Sequence, residues 1–149
     1  MRYLILLLSL AGVLVSVQAL RGHYATETEP CSISERLDCD TVNHSSYSEV
    51  FQVPVAAIGI GGYLLLAILA LFRRQFMLTV AAVVGLIFSL HMTGIEWDLL
   101  NMWCLYCAIS QALIALIVLF SAIWLVRWEM EKNSEKSNVR RLTENAMKK

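Results

Sequence analysis

Cys104-Leu105-Tyr106-Cys107 is the pattern in this chain that carries the most chemistry. Two thiols three residues apart on a helix share a face and can bridge as a disulfide. Where such a pair opens a helix, unpaired backbone N–H groups and the positive helix end favour a thiolate, the form that attacks a disulfide. Asp98 and Asn101 stand just ahead as candidate caps for that helix. The remaining cysteines, Cys31 and Cys39, have seven residues between them. Three uses of the four thiols are open: redox exchange, two inert disulfide staples, or a zinc site. Zinc fits worst, because the usual gap between paired ligands is about two to four residues. Four cysteines in 149 residues are also too few for a small disulfide scaffold.

The elements that must position these thiols are written in the hydropathy. The chain is 58% hydrophobic and 16% charged, with a mean hydropathy of +0.61. Average soluble domains run at roughly 45–50% apolar and about 25% charged, so a membrane protein is expected. Twelve basic residues balance twelve acidic ones, which removes a compositional case for nucleic-acid binding. A spanning helix needs about 20 mostly apolar residues. Uncharged stretches at 3–20, 53–72, 76–95 and 102–126 meet or approach that length. Arg73-Arg74-Gln75 is a tight link between the second and third, and 96–101 joins the third to the fourth. The expected fold is an all-α integral membrane four-helix bundle, with a long outer loop over 21–52 and a charged tail over 127–149. Val17-Gln18-Ala19 has the look of a signal-peptidase site, yet 18 apolar residues is long for a signal core, and a retained helix is expected.

Charge sets the expected orientation. Alternating spans put the N-terminus, the 73–75 link and the tail on one side, with ten Lys and Arg there and only Arg21 and Arg36 opposite. The positive side is the cytoplasmic one. Both termini are therefore expected in the cytoplasm. All four cysteines then share the outer face, where disulfides form and persist.

A longer set of residues now becomes recognisable. Cys31-Ser32-Ile33-Ser34-Glu35 leads to Cys39-Asp40, then Ser45-Ser46-Tyr47-Ser48 and Val53-Pro54-Val55, with Gly59 and Tyr63 in the next helix. Together with the late C-x-x-C, over about residues 3–126, the chain resembles the vitamin K epoxide reductase family in its bacterial branch. The bacterial DsbB-type oxidase has its C-x-x-C in the first outer loop, an order not found here. The resemblance implies a helical bundle around a quinone, the electron acceptor, with no metal. It makes Cys104 and Cys107 the active-site pair, Cys107 deeper and facing the quinone. Cys31 and Cys39 become a shuttle pair. Cys31 would exchange with a thioredoxin-fold, DsbA-like partner, and Cys39 would relay to Cys104 through mixed disulfides. Many bacterial members carry a fused thioredoxin-like domain; here the partner is expected to be a separate protein in a bacterial inner membrane setting.

Three positions depart from the family pattern. Gln52 stands where Gly often precedes the Val-Pro pair. Val55 and Gln111 align with an Asn and a Tyr that hydrogen-bond the quinone in the animal enzymes. A respiratory quinone is thus a better expectation than an epoxide, with vitamin K quinone or epoxide reduction as the alternative activity and a non-enzymatic tetraspan protein with structural disulfides as the alternative class.

Other residues carry weaker signals. Ser46 and Glu49 have capping-box spacing for a short amphipathic helix over 47–52, either a cover for the pocket or a simple entry to the second span. Ser34 is a candidate support for a thiolate, or a turn serine. His91 and Thr93 are polar groups within an apolar stretch; His91 is a candidate quinone or proton contact, or a histidine satisfied by a backbone carbonyl. Trp97 and Trp103 suit one interfacial belt and Trp124 and Trp128 the other, with Trp103 also a candidate wall of the quinone site. Gly59, Gly61, Gly62, Ala82 and Gly85 read as close-packing positions, Gly59 with room for a ring.

Overall fold

The structure, a computed structural model, describes residues 1–24, 48–50, 52–95, 97–98 and 104–148. Four helices account for most of them: α1 Arg2–Tyr24, α2 Val55–Leu71, α3 Gln75–Ile95 and α4 Leu105–Met147. Two short strands, β1 Glu49–Val50 and β2 Val53–Pro54, form an antiparallel hairpin ahead of α2. α1, α3 and α4 are each long and apolar enough to cross a membrane. α2 has 17 residues, about 25 Å of helix, slightly short of a hydrocarbon core of about 30 Å.

The packing is that of helices solvated by lipid rather than water. On α1 the buried residues are Ile5, Ser9, Gly12, Ser16 and Gly22, mostly small residues on one narrow stripe. Leu7 and Leu14 point outward with 65% and 68% of their surface exposed. Small residues inside and large apolar residues outside let backbones approach closely while hydrocarbon wets the rest. α1 packs on α2 and α4, and α3 packs on α4. The shared core is Ile5, Tyr63, Leu66, Ala70, Leu78, Ala82, Ile114 and Ile117. Gly85 rests against Ile114, as a close-packing residue should, whereas a Cβ at Gly61 or Gly62 would meet nothing within 4 Å. Those two glycines are not packing positions: the neighbouring helices do not close over them.

The α2–α3 link is a Schellman turn. The Arg74 N–H donates to the Leu69 carbonyl (3.1 Å) and the Arg73 N–H to that of Ala70 (3.3 Å). Arg73 occupies the left-handed position, φ 56°, that glycine usually fills.

Two expectations are corrected. The short helix over 47–52 is not formed in the described residues: Glu49 pairs with Pro54 and Val50 with Val53, and Gln52 turns the chain at φ 65°. Proline disfavours helical geometry in the residue before it, so Val53 takes extended backbone and pairs with Val50. The Val55 N–H then donates to the Ser48 carbonyl at 2.8 Å and ties the hairpin to the start of α2. Ser46 and Tyr47 lie outside the described residues. The second correction concerns the tail. α4 continues from the apolar segment through Met147 without a break. Residues 127–147 contain no Gly or Pro and are rich in Glu, Lys and Arg, so nothing ends the helix.

Candidate functional site

At one end of the bundle the C-terminal turns of α1 and α3, the hairpin, and the N-terminal turns of α2 and α4 surround a cavity of about 550 Å³. Pockets that hold small organic molecules run from about 300 to 1,000 Å³. Its walls are mostly apolar, with Tyr63, Phe88 and Tyr106 as the aromatic residues in the lining. Polar atoms come from His23, Ser48, Ser89, Thr93 and Ser110. Cys107 is in the wall.

The two helix cysteines differ in place as well as depth. Cys104 is the N-cap of α4, in extended geometry with no side-chain capping bond. Its carbonyl accepts the first helical hydrogen bond, from the Ala108 N–H at 3.0 Å. The cap position is therefore taken by Cys104 rather than Asp98, and Asn101 lies outside the described residues. Cys107 falls in the first turn, where backbone N–H groups lack intrahelical acceptors and the helix dipole presents its positive end. Cys104 is completely buried, while Cys107 keeps partial exposure toward the cavity. From the sequence Cys104 is the more water-facing of the two. Position along the helix axis sets depth, but enclosure depends on what packs around the cap.

The quinone candidates separate into groups. Val55 and Gly59 line the cavity. A Cβ on Gly59 would also come within 2.9 Å of Ser16 Oγ, so this glycine lets α1 approach α2 as well. Gln111 is not in the wall but is tied to it: Thr93 Oγ1 donates to Gln111 Oε1 at 2.6 Å. Thr93 Oγ1 is also 3.1 Å from the Ser89 carbonyl, and one hydroxyl proton serves the shorter contact. His91 is exposed on the outer face of α3 and does not line the cavity. One turn is 3.6 residues, so His91 and Thr93 point about 200° apart and only Thr93 turns inward. Cys31, Cys39, Ser34 and Trp103 lie outside the described residues.

Tyr63, Ser110 and His23, none of which had an assigned role in the sequence, complete the site. The Tyr63 hydroxyl donates to the Ser110 carbonyl at 2.8 Å and lies 2.9 Å from Ser110 Oγ, which can donate back. This bond locks α2 to α4 one turn below Cys107. Tyr63 is four residues after Gly59, and Ser110 three after Cys107, so helical spacing from either landmark reaches them. His23, at the end of α1, reaches the hairpin: its Nε2 is 3.4 Å from Glu49 Oε1. Among the described residues no three His, Cys, Asp or Glu side chains gather as metal ligands. A four-cysteine zinc set would need Cys31 and Cys39.

The family model for the vitamin K epoxide reductase family matches residues 3–122. No curated protein gives a significant match. The matched span takes in α1 to α3, the cavity and the C-x-x-C. With apolar helices long enough to cross a bilayer and a thiol pair beside an apolar cavity, the chain is an integral membrane oxidoreductase that belongs to the vitamin K epoxide reductase family.

Proposed function

We propose that this chain is a quinone-dependent thiol-disulfide oxidoreductase that oxidises a thioredoxin-fold, DsbA-like partner and so supports disulfide bond formation. The observation that carries this reading is the position of Cys107 in the wall of a mostly apolar cavity, one helical turn from a buried Cys104. The cavity fits a quinone: an apolar, partly aromatic lining suits a flat ring, and a few hydroxyls and an imidazole suit its oxygens. Val55, Gly59, Phe88, Thr93 and Tyr106 would hold it. When bound, a quinone accepts two electrons and two protons and diffuses away in the bilayer.

The protein's part is to bring electrons to Cys107 and keep water out. Complete burial of Cys104 denies a folded partner protein direct access to it. That burial supports an internal carrier, and in this scheme Cys31 with Cys39 supplies it. Cys31 takes electrons from the partner dithiol, Cys39 attacks Cys104, and Cys107 is left as the thiolate. In this scheme the chain has four spans, α2 being extended by the hairpin, and the excess of Lys and Arg on one side supports both termini in the cytoplasm of a bacterial inner membrane with the cysteines on the periplasmic side.

Two variants test the order of events. Cys104→Ser should leave Cys107 without a resolving thiol, so a thiolate against bound quinone gives a long-wavelength absorption band. Cys107→Ser should lack the band and accumulate a Cys39–Cys104 disulfide, seen by mass mapping after alkylation. Quinone-dependent turnover retained in Cys107→Ser would refute the scheme.

A further inference from the structure

We infer that His23, held by Glu49, is the residue that delivers a proton from water into the cavity when its electron acceptor is reduced. This rests on the quinone reading above and adds proton delivery to what that reading asks of the cavity's imidazole. His23 sits in the last turn of α1, lines the cavity, and has a side chain only 13% exposed. Glu49 lies on the hairpin strand with 46% of its side chain exposed, 3.4 Å away. The pair therefore connects the cavity interior to the solvent through one carboxylate. Ser48, beside Glu49 in the chain, also lines the cavity.

Proton balance gives such a group a task. Reduction of a quinone by the Cys104–Cys107 dithiol forms one S–S bond and releases two electrons. The quinol formed needs two protons. If Cys107 reacts as a thiolate, its own proton has already left, and the Cys104 thiol supplies only one. The second must come from another donor, a side chain in the cavity wall or water. Histidine is the side chain whose charge ordinarily changes between about pH 5 and 8. Among the described residues, the titratable groups facing His23 are Glu49 on the hairpin and Tyr24 on its own helix, whose ring makes an edge contact at 5.1 Å. Tyr63, Tyr106 and Cys107 share the cavity wall with it. Partial exposure of the Glu49 carboxylate puts solvent within reach of the pair.

The test uses the full chain in lipid nanodiscs with a short-chain ubiquinone analogue as the probe. With nitrogen-labelled histidine, the His23 resonance, assigned by its loss in His23→Gln, should shift when the analogue is added and should shift again in Glu49→Gln. His91, on the outer face, should not respond. In turnover with a reduced thioredoxin-fold substrate, the wild type should lose rate as pH rises. His23→Gln should abolish that alkaline limb and run roughly 100-fold slower, the scale of a lost general acid. In the Cys104→Ser background, His23→Gln should keep the long-wavelength band, which shows that the cavity remains assembled. Loss of that band would mark His23 as a structural tie and overturn the proposal, as would an unchanged rate and pH profile or a resonance indifferent to the analogue. Absence of quinone-dependent turnover in the wild type would instead refute the functional reading itself.

Discussion

Gly12 is where one added methyl group should propagate furthest. It lies on the buried stripe of α1, and a Cβ built there overlaps the Tyr63 ring at Cδ1, Cε1 and Cζ. The ring cannot stay in place if Gly12→Ala is made. It is fixed at its far end by the Tyr63–Ser110 hydrogen bonds, so it must tilt away and break them, or α1 must move out. Overpacking of this kind costs about 1–3 kcal/mol. Loss of the tyrosine bond adds about 1 kcal/mol. Replacing helical glycine by alanine returns up to about 1 kcal/mol. A net destabilisation of about 1–3 kcal/mol is expected. Gly61→Ala is the matched control, since its Cβ meets nothing within 4 Å, and it should be neutral or stabilising by up to about 1 kcal/mol. Reversible unfolding in mixed detergent micelles measures both. The cycle is completed with Tyr63→Leu, which removes the overlapping ring, and Gly12→Ala should then cost less by at least about 1 kcal/mol. If Gly12→Ala costs the same with and without the tyrosine ring, the close approach of α1 to Tyr63 is not the cause, and the reasoning fails.

Two further outcomes are expected. Gln52→Gly relieves a side chain from left-handed backbone at φ 65°, so it should stabilise the hairpin by roughly 1 kcal/mol; a decrease in stability by the same unfolding assay would contradict the turn geometry. Reporter fusions after Arg74 and at Lys149 should both read as cytoplasmic, given ten basic residues on that side against two; an outward reading at either point would separate the cysteines from a common face.

Helix placement was legible because hydrocarbon imposes a simple length rule. Uncharged stretches at 53–72 and 76–95 became α2 and α3 within two residues at each end, since charged residues and a Pro mark where lipid or helix stops. The thiol pair at the start of α4 was legible for the same reason: spacing along one helix is a local property. The resemblance to the family rested on such local strings, and the family model covers the same region.

What lay beyond the sequence depended on contacts between elements. The pattern of Ser46 and Glu49 suggests a local helix cap, but Pro54 and the Val50–Val53 pairing form a hairpin instead, because extended geometry before proline outweighs a cap. His91 and Thr93 look equivalent as polar residues in an apolar run, yet helix rotation turns one outward and the other onto Gln111. Burial of Cys104, the Tyr63–Ser110 lock and the approach of His23 to Glu49 each join segments far apart in the chain. A sequence states which residues a helix presents and how deep each one lies. Which of its faces meets a neighbour, and what closes over a helix end, is decided only when all the helices pack at once, because close contact is set by the combined shape of side chains from several elements.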